Sequence, residues 1–460
     1  MKAFMIAGDR SGAGKTSISL GIASLLSDRY RVQTCKVGMD YIDPSYLSAA
    51  SGRPCRNLDG FVMDEANIRT IVDFAAQDAD ILLVEGVRGL YEGAEALTDR
   101  GSSAEIAKLL GIPVVLVVNA RSITRSAAAL VQGFIGFDPE ISIRGVILNN
   151  VFGASHRDKA IQAIEKHCGI PVLGSVPPDE GMVLEMRHLG LVPYREGEGN
   201  AAFRETVQAV RKTVGSHVNM EGILTAAGEY QPGPVTRSVL TPAPYRDIRI
   251  GVAYDEAFNF YYADLFDVLR GCGAEPVFFS PVHDPLPEAD GYILGGGYPE
   301  LYAKELEENT RVREALKQAS ANGIPLYGEC GGLIYLTEGI RLSAGWRGAE
   351  KEAAFSFCGA VPGITRMPAK RVVSYVEGAS CPESPLGGGA FRGHEFHYSD
   401  VILAPPKRFC YHLIRGRGIE GENDGVLVKN TLASYTHLSP VPSAKMFDHF
   451  VRMCRSHPKT

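Results

Sequence analysis

The 460-residue chain has nine cysteines, at 35, 55, 168, 272, 330, 358, 381, 410 and 454, and no C-x-x-C pair among them. Scattered cysteines in a long chain lack zinc-site or redox-motif spacing and form no dense disulfide framework. They read as mostly buried free thiols of a reducing cytoplasm, with room for one reactive thiol. Long apolar runs are also missing. The N-terminal run stops at Gly8 and Asp9, short of the ~7–15 residues of a signal-peptide core, and residues 113–118 fall well below the ~18 of a membrane span. A basic excess is absent too: 47 Lys and Arg stand against 53 Asp and Glu, a net charge of −6. That argues against a protein built chiefly to hold nucleic acid. Neither a nucleic acid nor a membrane is an expected partner. No low-complexity tract or internal repeat stands out.

What is present points to folded cores and many tight turns. Hydrophobic residues make up 45% and charged ones 22%, which excludes a disordered polymer. At ~100–200 residues per domain, the length suggests two or three domains. The 51 glycines are about 11% of the chain against a usual ~7%. Glycine serves where backbone turns sharply or approaches a ligand.

Short apolar runs at 2–7, 81–87, 114–119 and 146–149 alternate with helical stretches such as 16–26, 103–110 and 126–134. This is the pattern of a parallel α/β sheet. The pattern fades after about residue 195. Residues 221–244 hold Gly222, Gly228, Pro232, Gly233, Pro234, Pro242 and Pro244 without periodicity, and read as linker. Apolar runs resume at 248–253, 276–279, 292–294 and 324–327, with a helix expected over 301–319. The expected division is therefore 1–220, a linker at 221–247, and 248–460, with both domains of the α/β class.

Gly8-Asp-Arg-Ser-Gly12-Ala13-Gly14-Lys15-Thr16 follows a predicted strand and opens a predicted helix. In that context a glycine-rich loop cradles phosphate with backbone N–H groups, here of Gly12, Ala13 and Gly14. Lys15 reaches the terminal phosphates and the Thr16 hydroxyl meets Mg²⁺. The spacing departs from the usual phosphate loop, because Asp9 stands six before Lys15 and the glycine is one earlier. A nucleotide-bound Mg²⁺ also takes one or two carboxylates. Glu85, at the end of ILLVE, suits that role at the carboxyl edge of a sheet. Asp40 and Asp43 in KVGMDYIDP also qualify, although by residue type alone they read first as turn caps before Pro44.

Gly328-Glu-Cys330-Gly331-Gly332 lies between the runs IPLY and LIYL. Small residues on both sides let a strand–helix turn present one nucleophile. The Gly331 N–H, with donors from Gly295-Gly296-Gly297, would face a developing oxyanion. Among eleven histidines, His437 in ASYTH sits best to act as base at a strand end. No orienting acid follows it, since the next residues are Leu438, Ser439 and Pro440. On spacing alone Cys330 could equally be an inert core thiol. His394-Glu-Phe-His397 looks metal-like, but strand alternation puts Glu395 and His397 on one face and His394 on the other. A structural or substrate-facing role fits these histidines better.

Taken together, the motifs resemble the cobyrinate a,c-diamide synthase family, with the closely similar Ni-sirohydrochlorin a,c-diamide synthases. The resemblance runs through KVGMDYIDP (36–44), GRPCRNLD (52–59), VEGVRGLYEG (84–93), GSSAEIAKLLG (101–111) and RHLGLVP (187–193). It continues in DEAFNFYY (255–262), FSPVHD (279–284), GGGYPELYA (295–303), GECGGLIYL (328–336) and RGHEFHYSD (392–400). The offset phosphate loop is similar to the family's own form. The resemblance implies a phosphate-loop domain like dethiobiotin synthetase, followed by a class I glutamine amidotransferase-like domain. It implies that Cys330 attacks glutamine with the help of His437 and releases ammonia, without an acid after the histidine. It further implies that ATP and Mg²⁺ activate the a and c acetates of a tetrapyrrole polycarboxylate as acyl phosphates, which ammonia converts to amides. Asp40, Asp43 and Glu85 match positions tied to Mg²⁺ and acyl transfer, Tyr41 and Ile42 lie in the substrate loop, and a homodimer is a family-level expectation. The product would serve cobalamin biosynthesis, or coenzyme F430 biosynthesis and methanogenesis. Glu92, placed by the resemblance with Asp40, Tyr41 and Ile42 in substrate binding and acyl transfer, stands where the family usually has Asp, and Met39 where it usually has Pro, which leaves cobalt or nickel substrate open. Other readings are a cobyric acid synthase-like amidase of other side chains, or a phosphate-loop switch ATPase with a degenerate amidotransferase module.

Overall fold

The computed structural model describes residues 1–182, 186–187, 190–191, 201–235, 238–346 and 351–457. Most of the RHLGLVP motif lies outside the described residues. The chain forms two compact units, Met1–Thr236 and Arg237–Thr460. Among the described residues no helix is long and apolar enough to cross a membrane.

The first unit is built on β1 (Lys2–Gly8), β2 (Val32–Val37), β3 (Arg56–Leu58), β4 (Ile81–Glu85), β5 (Val114–Asn119), β6 (Ile143–Asn149) and β7 (Val172–Val176). Their order in the sheet is β3-β2-β4-β1-β5-β6-β7, and all these pairings are parallel. Helices cover the strands, so the strands read as continuous apolar runs rather than alternating ones. The helix starts follow from local chemistry. Asp64 caps helix Glu65–Ala76 by accepting the Asn67 N–H. Ser102 caps Ser103–Leu110 through the Glu105 N–H, and Gly111 ends that helix in the left-handed conformation.

The stretch 221–247 is not all linker. Asn219 caps a helix at Met220–Ala226, and Gly228–Glu229 pairs antiparallel with the start of β1. The Tyr230 hydroxyl then donates to Asp73 at 2.7 Å. The glycines and prolines suggested breakage, but the Asn219 cap and a two-residue strand fix this segment to the first unit. A strand that short leaves no periodic signal.

The second unit has one large mixed sheet. Five parallel strands come first, in the order Ala274–Phe279, Ile248–Ala253, Gly291–Leu294, Leu326–Glu329 and Thr431–Ser434. The sheet continues antiparallel through Asn423–Val428, Phe409–Arg415, Val372–Ser380 and Gly389–His397 to His437–Leu438. The chain from Thr431 to Leu438 thus enters this path twice, in its middle as Thr431–Ser434 and at its far end as His437–Leu438, which folds the antiparallel strands back beside the parallel ones. A small sheet of Ala353–Ser356, Gly339–Leu342, Gly363–Met367 and Asp400–Leu403 packs around it. The motifs DEAFNFYY and FSPVHD meet at Asp255. Its buried carboxylate accepts the Ser280 hydroxyl at 2.7 Å and the N–H groups of Ala257, Phe258 and Val282.

One expectation needs correction and another gains an exception. The helix expected over 301–319 is split into Ala303–Glu308 and Thr310–Ala321. Asn309 breaks it, because its side-chain amide donates to the carbonyls of Pro281 and Asp284. Seven cysteines are free, but Cys381 and Cys410 form a disulfide, their Cα atoms 4.8 Å apart on neighbouring antiparallel strands. Their sequence separation of 29 residues hides that proximity.

Candidate active sites

The first site forms where β1, β2 and β4 end. The loop after β1 turns with left-handed Gly12 and Gly14 and runs into helix Lys15–Leu26. At Gly14 a Cβ would come within 2.1 Å of the Asn149 amide nitrogen, and that amide donates to the Ala13 carbonyl at 2.9 Å. Only glycine satisfies both the backbone angle and the close approach. The turn after β4 is tied to the loop: the Leu90 N–H donates to the Gly8 carbonyl, and the Lys15 ammonium bonds the Arg88 carbonyl.

Beside the loop lies a buried charge cluster. Lys36, inside β2, reaches Asp43 at 2.7 Å and Glu85 at 2.8 Å. The Thr16 hydroxyl lies 3.0 Å from Glu85 and 3.2 Å from Asp43. Burial disfavours the Lys36 charge, but the two carboxylates outweigh it and raise its pKa. Burial, then the Asp43 charge, push the Asp40 carboxyl up to about 7. Asp43 is held below its ordinary value despite burial, because Lys36 faces it. Burial raises Glu85, and burial followed by Lys36 lowers Lys15.

Asp40 also accepts the Ile42 N–H at 2.8 Å, so it is a turn cap as well as a neighbour of the cluster. Tyr41 and Ile42 begin helix Ile42–Ser51 directly beside it. Glu92 stands apart, accepting the Gly89 N–H at 3.2 Å within its own turn. The residues fit Mg²⁺: Glu85 and Asp43 flank the Thr16 hydroxyl, and the second Glu85 oxygen is buried without a hydrogen-bond partner. Among the described residues no group of three or more His, Cys, Asp or Glu forms a closed metal cage. An ion held by two carboxylates and a hydroxyl would draw its other ligands from phosphates and water.

The second site forms at the end of strand Leu326–Glu329. Cys330 takes φ 48° and ψ −94°, a strained turn for a residue with a side chain. The next residues form helix Gly331–Leu336. Gly332 packs so tightly that a Cβ would lie 2.1 Å from the Leu294 carbonyl oxygen. A Cβ on Gly331 would lie 2.9 Å from the Gly297 nitrogen, and one on Gly296 would lie 2.7 Å from Cε1 of His437. The three glycines named from sequence therefore converge on the Cys330 turn. His437 lies 3.3 Å from Glu329 and faces Cys330, whose thiol donates to the Phe396 carbonyl at 3.6 Å. Burial opposes the His437 charge, but Cys330 and Glu329 prevail and push it up to about 10.

His394 stacks on His437 with ring centres 4.8 Å apart. Burial and the His437 charge hold His394 well below the usual histidine value, so it is neutral. His397 stacks on Tyr435 at 3.6 Å and meets the Ser399 carbonyl at 3.0 Å. These histidines thus line the nucleophile pair and the strand beneath it.

Residues 249–443 match the CobB/CobQ-like glutamine amidotransferase domain, and residues 38–185 match an AAA domain. Relatives matched over nearly their whole length include cobyrinate a,c-diamide synthases. The cobyrinate a,c-diamide synthase of Methanosarcina acetivorans is 48% identical, covering 95% of this chain and 92% of its own. The chain belongs to the cobyrinate a,c-diamide synthase family. Proteins of that name from Methanosarcina barkeri and Methanothermobacter thermautotrophicus are 46% and 41% identical. They cover 98% and 97% of this chain, and 96% and 98% of their own. The chain is thus a glutamine-dependent amidating ligase with an ATP-binding unit and a glutamine amidotransferase unit.

Within this diamide synthase framework, sequence reasoning missed two residues. Lys36 sits in the quoted KVGMDYIDP motif, and its signal was a lone charge inside the otherwise uncharged strand VQTCKV. Glu329 sits directly before Cys330. Its signal was a carboxylate at the end of a buried strand, whereas an orienting acid was sought only after His437.

Proposed function

We propose that the chain converts the a and c acetate carboxylates of a metallo-tetrapyrrole precursor, cobyrinate or Ni-sirohydrochlorin, into carboxamides, using ATP and glutamine. The observation that carries this reading is Cys330 on its strained turn, facing a His437 that Glu329 holds at 3.3 Å, in a chain that also holds a phosphate loop beside buried carboxylates.

In the second unit the Cys330 sulfur attacks the glutamine carboxamide carbon. The N–H groups of Gly296, Gly297 and Gly331 stabilise the oxyanion. His437 gives its proton to the departing nitrogen, so ammonia leaves and a thioester remains. Water then hydrolyses the thioester, releasing glutamate and restoring the thiol.

In the first unit the N–H groups of Gly12, Ala13 and Gly14, with Lys15, receive the phosphates of ATP. Thr16, Asp43 and Glu85 would hold Mg²⁺, which when bound neutralises phosphate charge. Asp40, Tyr41 and Ile42 orient the substrate carboxylate, and Glu92 stiffens the turn opposite. A substrate carboxylate oxygen takes the γ-phosphoryl group, and ADP leaves. Ammonia attacks the acyl carbon, loses a proton and displaces phosphate. Two such cycles give the diamide.

The test is incubation with ATP, Mg²⁺, glutamine and each candidate tetrapyrrole, followed by mass spectrometry. Two acid-to-amide conversions on one substrate, at the a and c positions, are expected. Amidation confined to other side chains, or ATP hydrolysis without amide, would overturn the reading.

A further inference from the structure

The residue just before the nucleophile is a glutamate with both oxygens engaged. One oxygen of Glu329 accepts the Tyr327 hydroxyl at 2.6 Å and the Leu438 N–H at 3.1 Å. The other lies 3.3 Å from Nδ1 of His437. The strand that delivers Glu329 pairs parallel with Thr431–Ser434, in the register Glu329 to Ser434. Its carboxylate therefore sits beside the chain segment that leads into His437. The turn at Cys330 then swings the thiol toward the same imidazole. The segment after His437 offers only Leu438, Ser439 and Pro440.

We infer that Glu329 is the positioning acid of the Cys330–His437 pair, supplied by the nucleophile's own strand rather than by the segment after the histidine. This rests on the amidotransferase reading above. By holding Nδ1, Glu329 fixes the ring so that Nε2 is left to exchange a proton with Cys330, and its negative charge favours the imidazolium. The Tyr327 hydroxyl and the Leu438 N–H lock the carboxylate, so that it acts as a fixed group rather than a swinging one.

A merely structural strap would brace Leu438 and nothing more, and the two roles separate in a pH profile. The groups facing His437 are Glu329 and Cys330 from the nucleophile turn and His394 from the neighbouring strand. Of these, only Glu329 is removed in Glu329→Gln, whose amide oxygen can still serve Tyr327 and Leu438. The imidazolium loses its carboxylate partner, so it deprotonates at lower pH. Glutaminase kcat is expected to fall at least about tenfold with KM within about twofold. The alkaline limb of glutaminase kcat, where His437 loses the proton that the leaving ammonia needs, should move to lower pH. Glu329→Asp, which keeps the charge, should return that limb toward wild type even where the rate stays low.

Wild-type kcat and an unmoved limb in Glu329→Gln would overturn the assignment. So would equal losses in Glu329→Gln and Glu329→Asp with no shift of the limb in either. A second measurement leaves Glu329 in place: NMR titration of His437 in Cys330→Ser. There the His437 pKa should stand above that of the Cys330→Ser, Glu329→Gln double variant, and equal values in the two would overturn the assignment. A wild-type protein without glutaminase activity would instead bring down the amidotransferase reading itself.

Discussion

Both units put their chemistry at the carboxyl edge of a parallel sheet, yet one leans on a cluster of charges and the other on a strained turn. The first gathers Lys15, Lys36, Asp40, Asp43 and Glu85 into a cluster in which ion pairs hold Lys36 and Asp43 charged against desolvation, while burial shifts Lys15, Asp40 and Glu85 toward their neutral forms. The second stores its tension in backbone: Cys330 sits at positive φ, and glycines around it let main chain approach main chain. The difference follows from the task. A site that receives phosphates needs fixed charges, because developing negative charge is the load it carries. A site that presents a thiol needs a sharply held nucleophile and one well-oriented base.

The strongest way to break this comparison is Lys36→Met. It leaves Asp43 and Glu85 uncompensated in a buried site, and removing one partner of such a pair costs about 3–5 kcal/mol. The thermal transition of the first unit should fall accordingly, with glutaminase activity of the second unit preserved. An unchanged first-unit transition would show that the cluster is not held by Lys36. A smaller effect is expected of Gly332→Ala, where the new methyl meets the Leu294 carbonyl. Overpacking of this kind costs about 1–3 kcal/mol. It should reduce glutamine-driven amidation more than ammonia-driven amidation, and equal loss of both would contradict the placement.

The pH response of the second unit should be weaker again. His437 has a folded pKa of about 10, above its ordinary value. Its contribution to stability is therefore complete below about pH 6.5 and is lost as pH rises through about 10. Denaturant unfolding from pH 7 to 10 should show wild type losing at least about 1 kcal/mol more than His437→Gln. Parallel curves would mean that the imidazolium is not held. Least of all should Glu92→Asp matter, because Glu92 only braces the Gly89 turn. A change below about 0.5 kcal/mol and near-normal amidation kinetics are expected. A large kinetic defect would move Glu92 into the reacting centre.

The two sites also differ in how legible they were. Lys15 and Thr16 follow from a glycine-rich loop set between a strand and a helix, and Glu85 from its place at a strand end, because each signal is local in sequence. Cys330 and His437 were readable as a pair, although 106 residues of chain stand between them. Glu329 was not, since its role depends on the strand Leu326–Glu329 lying against Thr431–Ser434, a pairing that sequence alone does not announce. Lys36 was hidden for a similar reason: only the sheet order brings β2 against β4. The α/β alternation was plain in the apolar runs. The break at Asn309 depends on carbonyls at Pro281 and Asp284, and the Cys381–Cys410 bridge on the fold-back of distant strands. Both are tertiary facts.

The central claim is that one chain carries two separable chemistries joined by ammonia. Its most direct test is Cys330→Ser supplied with ATP, Mg²⁺ and the tetrapyrrole, and given either glutamine or a high concentration of ammonium at alkaline pH. The account predicts diamide from ammonium at a rate close to wild type, and none from glutamine. Diamide from glutamine, or no amide from either donor while ATP still binds, would contradict it.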